Sequence, residues 1–292
     1  MRFFKKQRED VVAALAAAGL LDHHRHDVGD GVVRELGTQR RCVHGCSSSQ
    51  PFGMELRIRR WGRASSLLAL VAVLVAYGNV ASLARAEMPA TGGWPGVAIG
   101  LVPVAAMLVM ARRAGVLTAL DLGLTRRGAA RSIRIGLMAA LAATLPALLV
   151  LRFPLIMEHP VTYAPLDSLS FQALLWRACL WMPLDTALPE EFAFRGVLLA
   201  VLRRRWAAPW ATVLSAVPFT LWHGVIVTRT VPLTNLQADP LLVIVGLAGA
   251  FAAVFVGGIL FAALRLATGH LAGSIVAHWA FNAALLVGLY AV

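Results

Sequence analysis

Residues 240–264 decide the fold, and they read PLLVIVGLAGAFAAVFVGGILFAAL. This stretch contains no charged side chain, and at about 1.5 Å per residue a helix of this length crosses the ~30 Å hydrocarbon core of a bilayer. The composition of the whole chain is also typical of a membrane protein, because 59% of its residues are hydrophobic, only 14% are charged and its mean hydropathy is +0.71. Soluble domains are about 45–50% apolar and about 25% charged. We therefore expect a protein that crosses the membrane several times.

Further apolar windows of similar length lie on both sides of this stretch. They cover residues 66–83, 94–111, 135–151, 170–188, 206–227 and 271–292. The fourth window either continues as helix through Arg203 or breaks at Pro189, which would add an eighth segment. The predicted fold class is all-α, a polytopic transmembrane helical bundle of about seven spans, within a range of six to eight.

The N-terminal residues differ from the rest in composition. Residues 1–60 carry charges of both signs and a Ser-Ser-Ser-Gln-Pro run at 47–51. We expect this part to be a poorly ordered cytoplasmic segment, followed by a transmembrane helical domain at 61–292. Membrane-like sequence begins soon after Met54, so an alternative start of translation at Met54 stays open, with 1–53 outside the native protein.

The net charge of +12 would suggest a nucleic-acid partner in a soluble protein. Here the basic residues gather at the edges of alternate predicted spans, where they set topology under the positive-inside rule. With seven spans, the rule is satisfied at every turn if the N-terminus is cytoplasmic. The residues that define the cytoplasmic side are Arg57, Arg59, Arg60, Arg63, Arg112, Arg113, Arg126, Arg127, Arg131, Arg134, Arg203, Arg204, Arg205 and Arg265.

One cluster of ionisable residues lies within the extended fourth span, Pro189-Glu190-Glu191-Phe192-Ala193-Phe194-Arg195-Gly196. A charged group at mid-bilayer costs roughly 2.5–3.5 kcal/mol on insertion scales, so such residues are either paired or functional. Glu191 and Arg195 are i,i+4 neighbours that can pair on one helix face. Glu190 points elsewhere and lacks that local partner, which suits a general base. The alternative is a buried ion network that only holds helices together.

Two pairs on later spans also follow i,i+4 spacing, Phe219-x-x-x-His223 and His278-x-x-x-Asn282. Taken alone, either histidine reads as a hydrogen-bonded core residue. Counted at ~1.5 Å per residue from the predicted cytoplasmic helix ends, Glu190 lies about 20 Å, His223 about 25 Å, Asn282 about 18 Å and His278 about 12 Å deep. These depths predict one polar active-site chamber within the membrane, open to the cytoplasm.

The motifs Glu-Glu-x-x-x-Arg, Phe-x-x-x-His and His-x-x-x-Asn, in this order on successive helices, resemble the CPBP family of intramembrane proteases. That family comprises the CAAX prenyl endopeptidases and the bacteriocin-processing (Abi) proteins. The Asp-Leu-Gly-Leu stretch at 121–124 also resembles the family, so the expected CPBP-like core covers residues 121–284.

The resemblance implies a role for each matched residue. Glu190 would activate water with the assistance of His223. His278 and Asn282 would hold that water or stabilise the oxyanion of the tetrahedral intermediate, as donors aimed at developing charge do. The remaining matched residues would orient the site: Glu191, Arg195 and Phe219.

Metal dependence is an open question at this point. Glu190, His223 and His278 form a plausible zinc set of the His₂Glu kind, and the family has been called metalloprotease for that reason. The chain lacks the His-Glu-x-x-His arrangement of well-known zinc proteases. We therefore favour glutamate chemistry without a metal cofactor and keep zinc as the alternative.

The leading hypothesis is an intramembrane endopeptidase of the plasma membrane that cleaves a membrane-bound or lipidated peptide or protein. One alternative is a non-catalytic membrane scaffold or immunity protein of the same fold. A small transporter is less favoured, because the chain shows no internal repeat. The lipid bilayer is the expected partner and nucleic acid is not, and no feature indicates an oligomeric state.

Other polar residues within the spans suggest only structural roles. We expect Trp222 to pack against other helices or to lie at the membrane interface, and Asn79 to hold helices together. Arg177 and Asp185 lie eight residues apart in the fourth span, too far to form a local pair.

Overall fold

The computed structural model describes residues 64–88, 93–114, 117–125 and 127–291, so the predicted N-terminal segment 1–60 lies outside it. Within these ranges the fold is all-α, as predicted, and the strand-like pairing is an isolated antiparallel bridge between Tyr163 and Thr234. The main helices are α1 (Ala64–Ala86), α2 (Trp94–Ala114), α3 (Ala129–Arg152), α4 (171–203), α5 (Ala208–Trp222), α6 (Gly224–Thr230), α7 (Pro240–Thr268) and α8 (Leu271–Tyr290).

Several of these helices can cross a bilayer. Helices α1, α3, α7 and α8 are long and apolar enough to do so singly, and α5 with the segment after it passes the same test as one span bent by 52°. Helix α2 holds a shorter apolar stretch, Trp94–Val109. Large apolar side chains face outwards, Leu141 being 73% exposed, as lipid contact requires. The chain is an integral membrane protein, and the count of seven spans stays a prediction.

The ends of α7 and α8 follow from local sequence. Asp239 caps α7 by accepting a hydrogen bond from the amide of Leu241, and Pro240 occupies the first helical position. Gly269 ends α7 in the left-handed region with φ of 68°. The ring of His270 then caps α8, where Nδ1 accepts from the amide of Ala272. The chain therefore reverses between two long apolar helices in two residues.

Helix α4 is the centre of the molecule. It runs without a break from 171 to 203, so the predicted alternative of a break at Pro189 is wrong. Its backbone instead widens into π-helical stretches at Arg177–Trp181, Pro183–Ala187 and Phe192–Leu198. Such stretches are uncommon and often mark functional sites. Residues 189–199 are all buried, so this half of α4 is enclosed by other helices.

Two windows differ from the prediction by more than a few residues. The third helix begins at Ala129, six residues before the predicted start at 135. The fifth window was expected to be one continuous helix over 206–227, but α5 ends at Trp222 and the chain bends at His223 before α6. His223 therefore occupies a corner between two helices.

The helices approach closely where small residues face each other. Gly136 of α3 lies against the backbone of Gly273 of α8, and the amide of Gly273 donates to the hydroxyl of Ser132 at 3.0 Å. A side chain at Gly273 would overlap Ser132, so glycine is needed for this contact. On the other side of α4, Phe194, Phe219 and neighbouring buried residues form an apolar cluster shared with α1, α5 and α7.

The Asp-Leu-Gly-Leu stretch is tied to the corner between α7 and α8. Arg265 Nη2 donates to the carbonyl of Asp121 at 3.0 Å, and the amide of Leu271 donates to the carbonyl of Gly123 at 3.0 Å. Gly123 has a φ of 71°, and a side chain there would overlap the Arg265 guanidinium. The glycine of this motif therefore allows the loop before α3 to dock on the helices that follow it.

Candidate active site

Glu190 is enclosed by three side chains from other helices. It lies directly after Pro189 in the middle of α4 and is 5% exposed. Its Oε1 accepts a hydrogen bond from Trp222 Nε1 at 3.2 Å. Its Oε2 faces His223 Nε2 at 3.4 Å and His278 Nε2 at 3.9 Å. The two histidines and Glu190 therefore converge, although they come from three separate parts of the chain.

The protonation of both histidine rings follows from their other nitrogens. His223 Nδ1 lies 2.8 Å from the carbonyl oxygen of Phe219, and a carbonyl only accepts, so this nitrogen carries a hydrogen. His278 Nδ1 lies 3.0 Å from Oε1 of Glu191, which accepts in the same way as a carboxylate. In each neutral ring the lone pair is then on Nε2. Both Nε2 atoms face Oε2 of Glu190, and within the described part of the chain this oxygen has no hydrogen-bond partner.

The predicted pair of Glu191 and Arg195 is present and fully enclosed. Arg195 Nη1 donates to Glu191 Oε1 at 2.9 Å, with the side chains 1% and 0% exposed. Arg195 Nη2 donates to the carbonyl of Gly258 at 3.1 Å. The guanidinium also lies over the ring of Phe219 at 4.0 Å from its centroid, a favourable cation–π contact. Arg195 thus fixes Glu191, and Glu191 in turn fixes the ring of His278.

Glu190 does not share the ion pair of Glu191 and Arg195. The side chains that face it, His223, His278 and Trp222, come from other parts of the chain. The two adjacent carboxylates and Arg195 leave one excess negative charge in a buried site. A single proton placed among Glu190 and the two imidazoles balances it, which is the arrangement that a proton-transfer site requires.

Aromatic rings hold the imidazoles in place. Phe261 stacks on His278 with ring centroids 4.9 Å apart, and Phe219 meets His223 edge-on at 4.5 Å. The orienting role expected of Phe219 stays a prediction. Asn282 is partly buried one turn beyond His278, and its side-chain amide makes no hydrogen bond with the described part of the chain. Its predicted role at the oxyanion stays a prediction.

The residues that the sequence suggests for zinc are Glu190, His223 and His278. Their chemistry is suitable, because a zinc-bound histidine usually donates its other ring N–H to a carbonyl or carboxylate, as both do here. As placed, however, no three of the described His, Cys, Asp and Glu side chains form a group that could hold a metal ion. The arrangement does not fit a bound zinc ion, and we derive no chemistry from one.

A second polar cluster lies in the N-terminal half of α4. Arg177 Nη1 contacts Asp185 Oδ2 at 2.9 Å, so the expectation that these residues cannot pair is wrong. The long arginine side chain spans the distance. Arg85 of α1 donates through Nη2 to the backbone carbonyl of Asp185 at 2.7 Å.

Sequence reasoning missed Trp222 and Asn79 as neighbours of the site. Trp222 donates to Glu190, and Asn79 bonds the backbone on either side of His223. Their contacts depend on how α1, α4 and α5 pack, and no local spacing contains that information. Asn79 could have been suspected from the sequence, because it is a polar side chain within an apolar span.

A known protein family matches the part of the chain that carries these side chains. Residues 172–284 match the family model described as Type II CAAX prenyl endopeptidase Rce1-like. The match confirms the resemblance to the CPBP proteases, over a shorter region than the predicted 121–284, and it contains every residue of the candidate site. No curated protein and no solved structure matches the chain. A match to a protease family supports a peptidase activity, and helix α1 lies outside the matched region.

Proposed function

We propose that the protein is an intramembrane endopeptidase in which Glu190 activates the attacking water. The observation that carries this proposal is the convergence of two imidazole Nε2 atoms on Oε2 of Glu190, with Oε1 held by Trp222. A carboxylate oxygen that accepts no hydrogen bond from the described residues, with two ring nitrogens beside it, is suited to bind and deprotonate a water molecule. The match to a protease family over the same residues supports the choice of a peptide bond.

The reaction follows from the placement of these groups. Water gives a proton to Oε2 of Glu190 while its oxygen attacks the carbonyl carbon, with His223 Nε2 accepting the water's second hydrogen bond. When the single balancing proton of the site is on Nε2 of His278, that nitrogen and the side-chain amide of Asn282 donate hydrogen bonds to the resulting oxyanion. The proton on Glu190 then passes to the amide nitrogen as the carbon–nitrogen bond breaks. A carboxylic acid and an amine leave, and Glu190 returns to its starting state.

The substrate class follows from the location of the site. Glu190 is buried within α4 and surrounded by helices that can cross a membrane, so a substrate reaches it from the bilayer or from the membrane surface. A membrane-bound or lipidated peptide or protein meets this condition. We place the protein in the plasma membrane, with its N-terminus in the cytoplasm, on the distribution of basic residues.

Peptide cleavage by the detergent-purified full chain tests the proposal. A farnesylated CAAX peptide and a mixed peptide library are offered to wild type, Glu190→Ala, His223→Ala and His278→Ala, with His159→Ala as a control histidine that is exposed. We expect cleavage by wild type and the control and loss of cleavage in the other three. Equal cleavage by Glu190→Ala would contradict the proposal, and absence of any cleavage would favour the non-catalytic scaffold.

The same assay, run with and without a chelator, tests the cofactor. We expect the wild-type rate to be unchanged by the chelator. Loss of cleavage on chelation that zinc restores would replace the metal-free mechanism with a metalloprotease.

A further inference from the structure

The bend at His223 has a specific cause. In a continuous helix, the amide of Val225 would donate to the carbonyl of Leu221. Here the amide of Val225 donates to Oδ1 of Asn79 at 2.8 Å, and Nδ2 of Asn79 donates to the carbonyl of Leu221 at 2.9 Å. The carboxamide of a residue on α1 has therefore replaced one backbone hydrogen bond, and insertion of a side chain into the backbone ladder bends a helix.

The geometry around Asn79 is arranged for this insertion. Nδ2 also donates to the carbonyl of Val75 within α1, which fixes the orientation of the amide group. Gly224 lies in the gap, and a side chain there would be 3.1 Å from Oδ1 of Asn79. The bend makes His223 the junction between α5 and α6, where its backbone has φ of −86° and ψ of 5°, and where its Nε2 lies 3.4 Å from Glu190.

Helix α1 has a second contact of the same kind beside Glu190. Pro189 has no amide hydrogen, so it cannot donate to the carbonyl of Asp185, four residues before it. Arg85 Nη2 donates to that carbonyl at 2.7 Å. One residue before Asn79, Gly78 leaves room for the indole of Trp222, which a side chain at that position would overlap. Helix α1 thus supplies hydrogen-bonding side chains at two places where the backbone departs from a regular α-helix. One is the bend at His223, and the other is the turn before Glu190.

We propose that Asn79 is a positioning residue of the active site, which holds His223 in place by taking over the Leu221–Val225 hydrogen bond. Asn79 does not contact the reacting atoms and acts through the backbone that carries His223. The proposal presumes the endopeptidase function for its effect on rate, but the position of the corner is measurable without it. It extends the site to α1, which the family match does not include.

The test compares Asn79→Leu with Ser82→Ala. Leucine is similar in size to asparagine but cannot bridge Leu221 and Val225. Among the described residues, the hydroxyl of Ser82 bonds only the carbonyl of Gly78, in its own helix. In the cleavage assay, we expect Asn79→Leu to lower kcat by about tenfold to a hundredfold with little change in KM, because small displacements of a reacting group have effects of this size. Ser82→Ala should leave both unchanged.

An NMR measurement separates this proposal from the proposed function. The chain has 8 tryptophans, so ¹⁵N-tryptophan labelling yields few indole signals, and Trp222→Phe identifies that of Trp222. We expect Asn79→Leu to shift the Trp222 signal, because Trp222 adjoins the corner and bonds Glu190, while the signal of Trp279, which donates to Ala178, stays in place. An unshifted Trp222 signal overturns the proposal even if no substrate is cleaved.

A second variant keeps the test decisive if Asn79→Leu does not fold. In Asn79→Asp the carboxylate still accepts from Val225 but has no hydrogen to donate to Leu221. We expect a shift of the Trp222 signal and a loss of kcat that are smaller than those in Asn79→Leu. A kcat for Asn79→Asp equal to that of Ser82→Ala, in an active wild-type background, would overturn the proposal.

Discussion

The buried pair of Glu191 and Arg195 should be coupled strongly enough to measure. Both side chains are enclosed, at 0% and 1% exposure. Replacing Arg195 by methionine leaves the buried carboxylate of Glu191 with His278 as its one partner among the described residues. Replacing Glu191 by leucine leaves a buried guanidinium. Breaking a buried pair from one side costs about 3–5 kcal/mol, because the remaining charge is uncompensated.

The double variant Glu191→Leu with Arg195→Met should be more stable than either single variant. It removes both charges, so its remaining loss comes mainly from Nδ1 of His278, which no longer has the Glu191 carboxylate as a partner, and from the additional hydrogen bond that Arg195 gave to the carbonyl of Gly258. An unsatisfied buried group costs about 1–3 kcal/mol. We therefore expect a free energy of unfolding above that of the single variants but below wild type.

Titration with sodium dodecyl sulfate in mixed micelles measures these unfolding free energies. The exposed pair of Arg204 and Asp121 is the control, and Arg204→Met should change stability by less than about 1 kcal/mol. Cleavage activity should be low in the double variant despite its recovered stability, because the ring of His278 has lost the carboxylate that orients it. Additive losses in the double variant would refute the reasoning, since they would show that the two charges are not coupled.

Two further predictions concern stability. Burial alone would raise the pKa of Asp121, but hydrogen bonds from Thr118 and the charge of Arg204 hold it below its ordinary value. A carboxyl with a lowered pKa stabilises the fold above about pH 4 and loses that effect as the pH falls further. Asp121→Asn should therefore lower the melting temperature at pH 7, with a difference from wild type that shrinks towards pH 3; a constant difference would contradict this. Gly273→Ala should destabilise by about 1–3 kcal/mol in the same titration, because the added methyl group overlaps α3. Gly249→Ala, where the methyl group meets open space, should be neutral or stabilising by up to about 1 kcal/mol, and equal effects at the two positions would contradict the packing argument.

The helices and the principal site residues were accessible from the sequence for a physical reason. Apolar windows long enough to cross a bilayer leave few alternatives to helix, and charged residues within them are costly unless they are used or paired. Local spacing was also sufficient for the pair of Glu191 and Arg195, because i,i+4 neighbours meet on any helix. The four residues at similar predicted depth include Glu190, His223 and His278, which the structure brings together.

The features that could not be predicted depend on contacts between distant helices. The bend at His223 arises from Asn79, more than a hundred residues earlier in the chain, so the local sequence of the fifth window indicates a continuous helix. Trp222 was assigned to packing, because an indole in an apolar span usually packs, and its hydrogen bond to Glu190 depends on the fit between α4 and α5. The pair of Arg177 and Asp185 was excluded on helical spacing alone, which ignores the length of the arginine side chain.

The most direct test of the account is the turnover of Glu190→Gln. Glutamine has the same shape as glutamate and keeps an oxygen to accept from Trp222, but it cannot take a proton from water at neutral pH. With melting temperature and KM close to wild type, we predict a kcat for cleavage of the farnesylated peptide that is lower by about a thousandfold or more, within the range of general base catalysis. A kcat within tenfold of wild type would contradict the central claim that Glu190 activates the water.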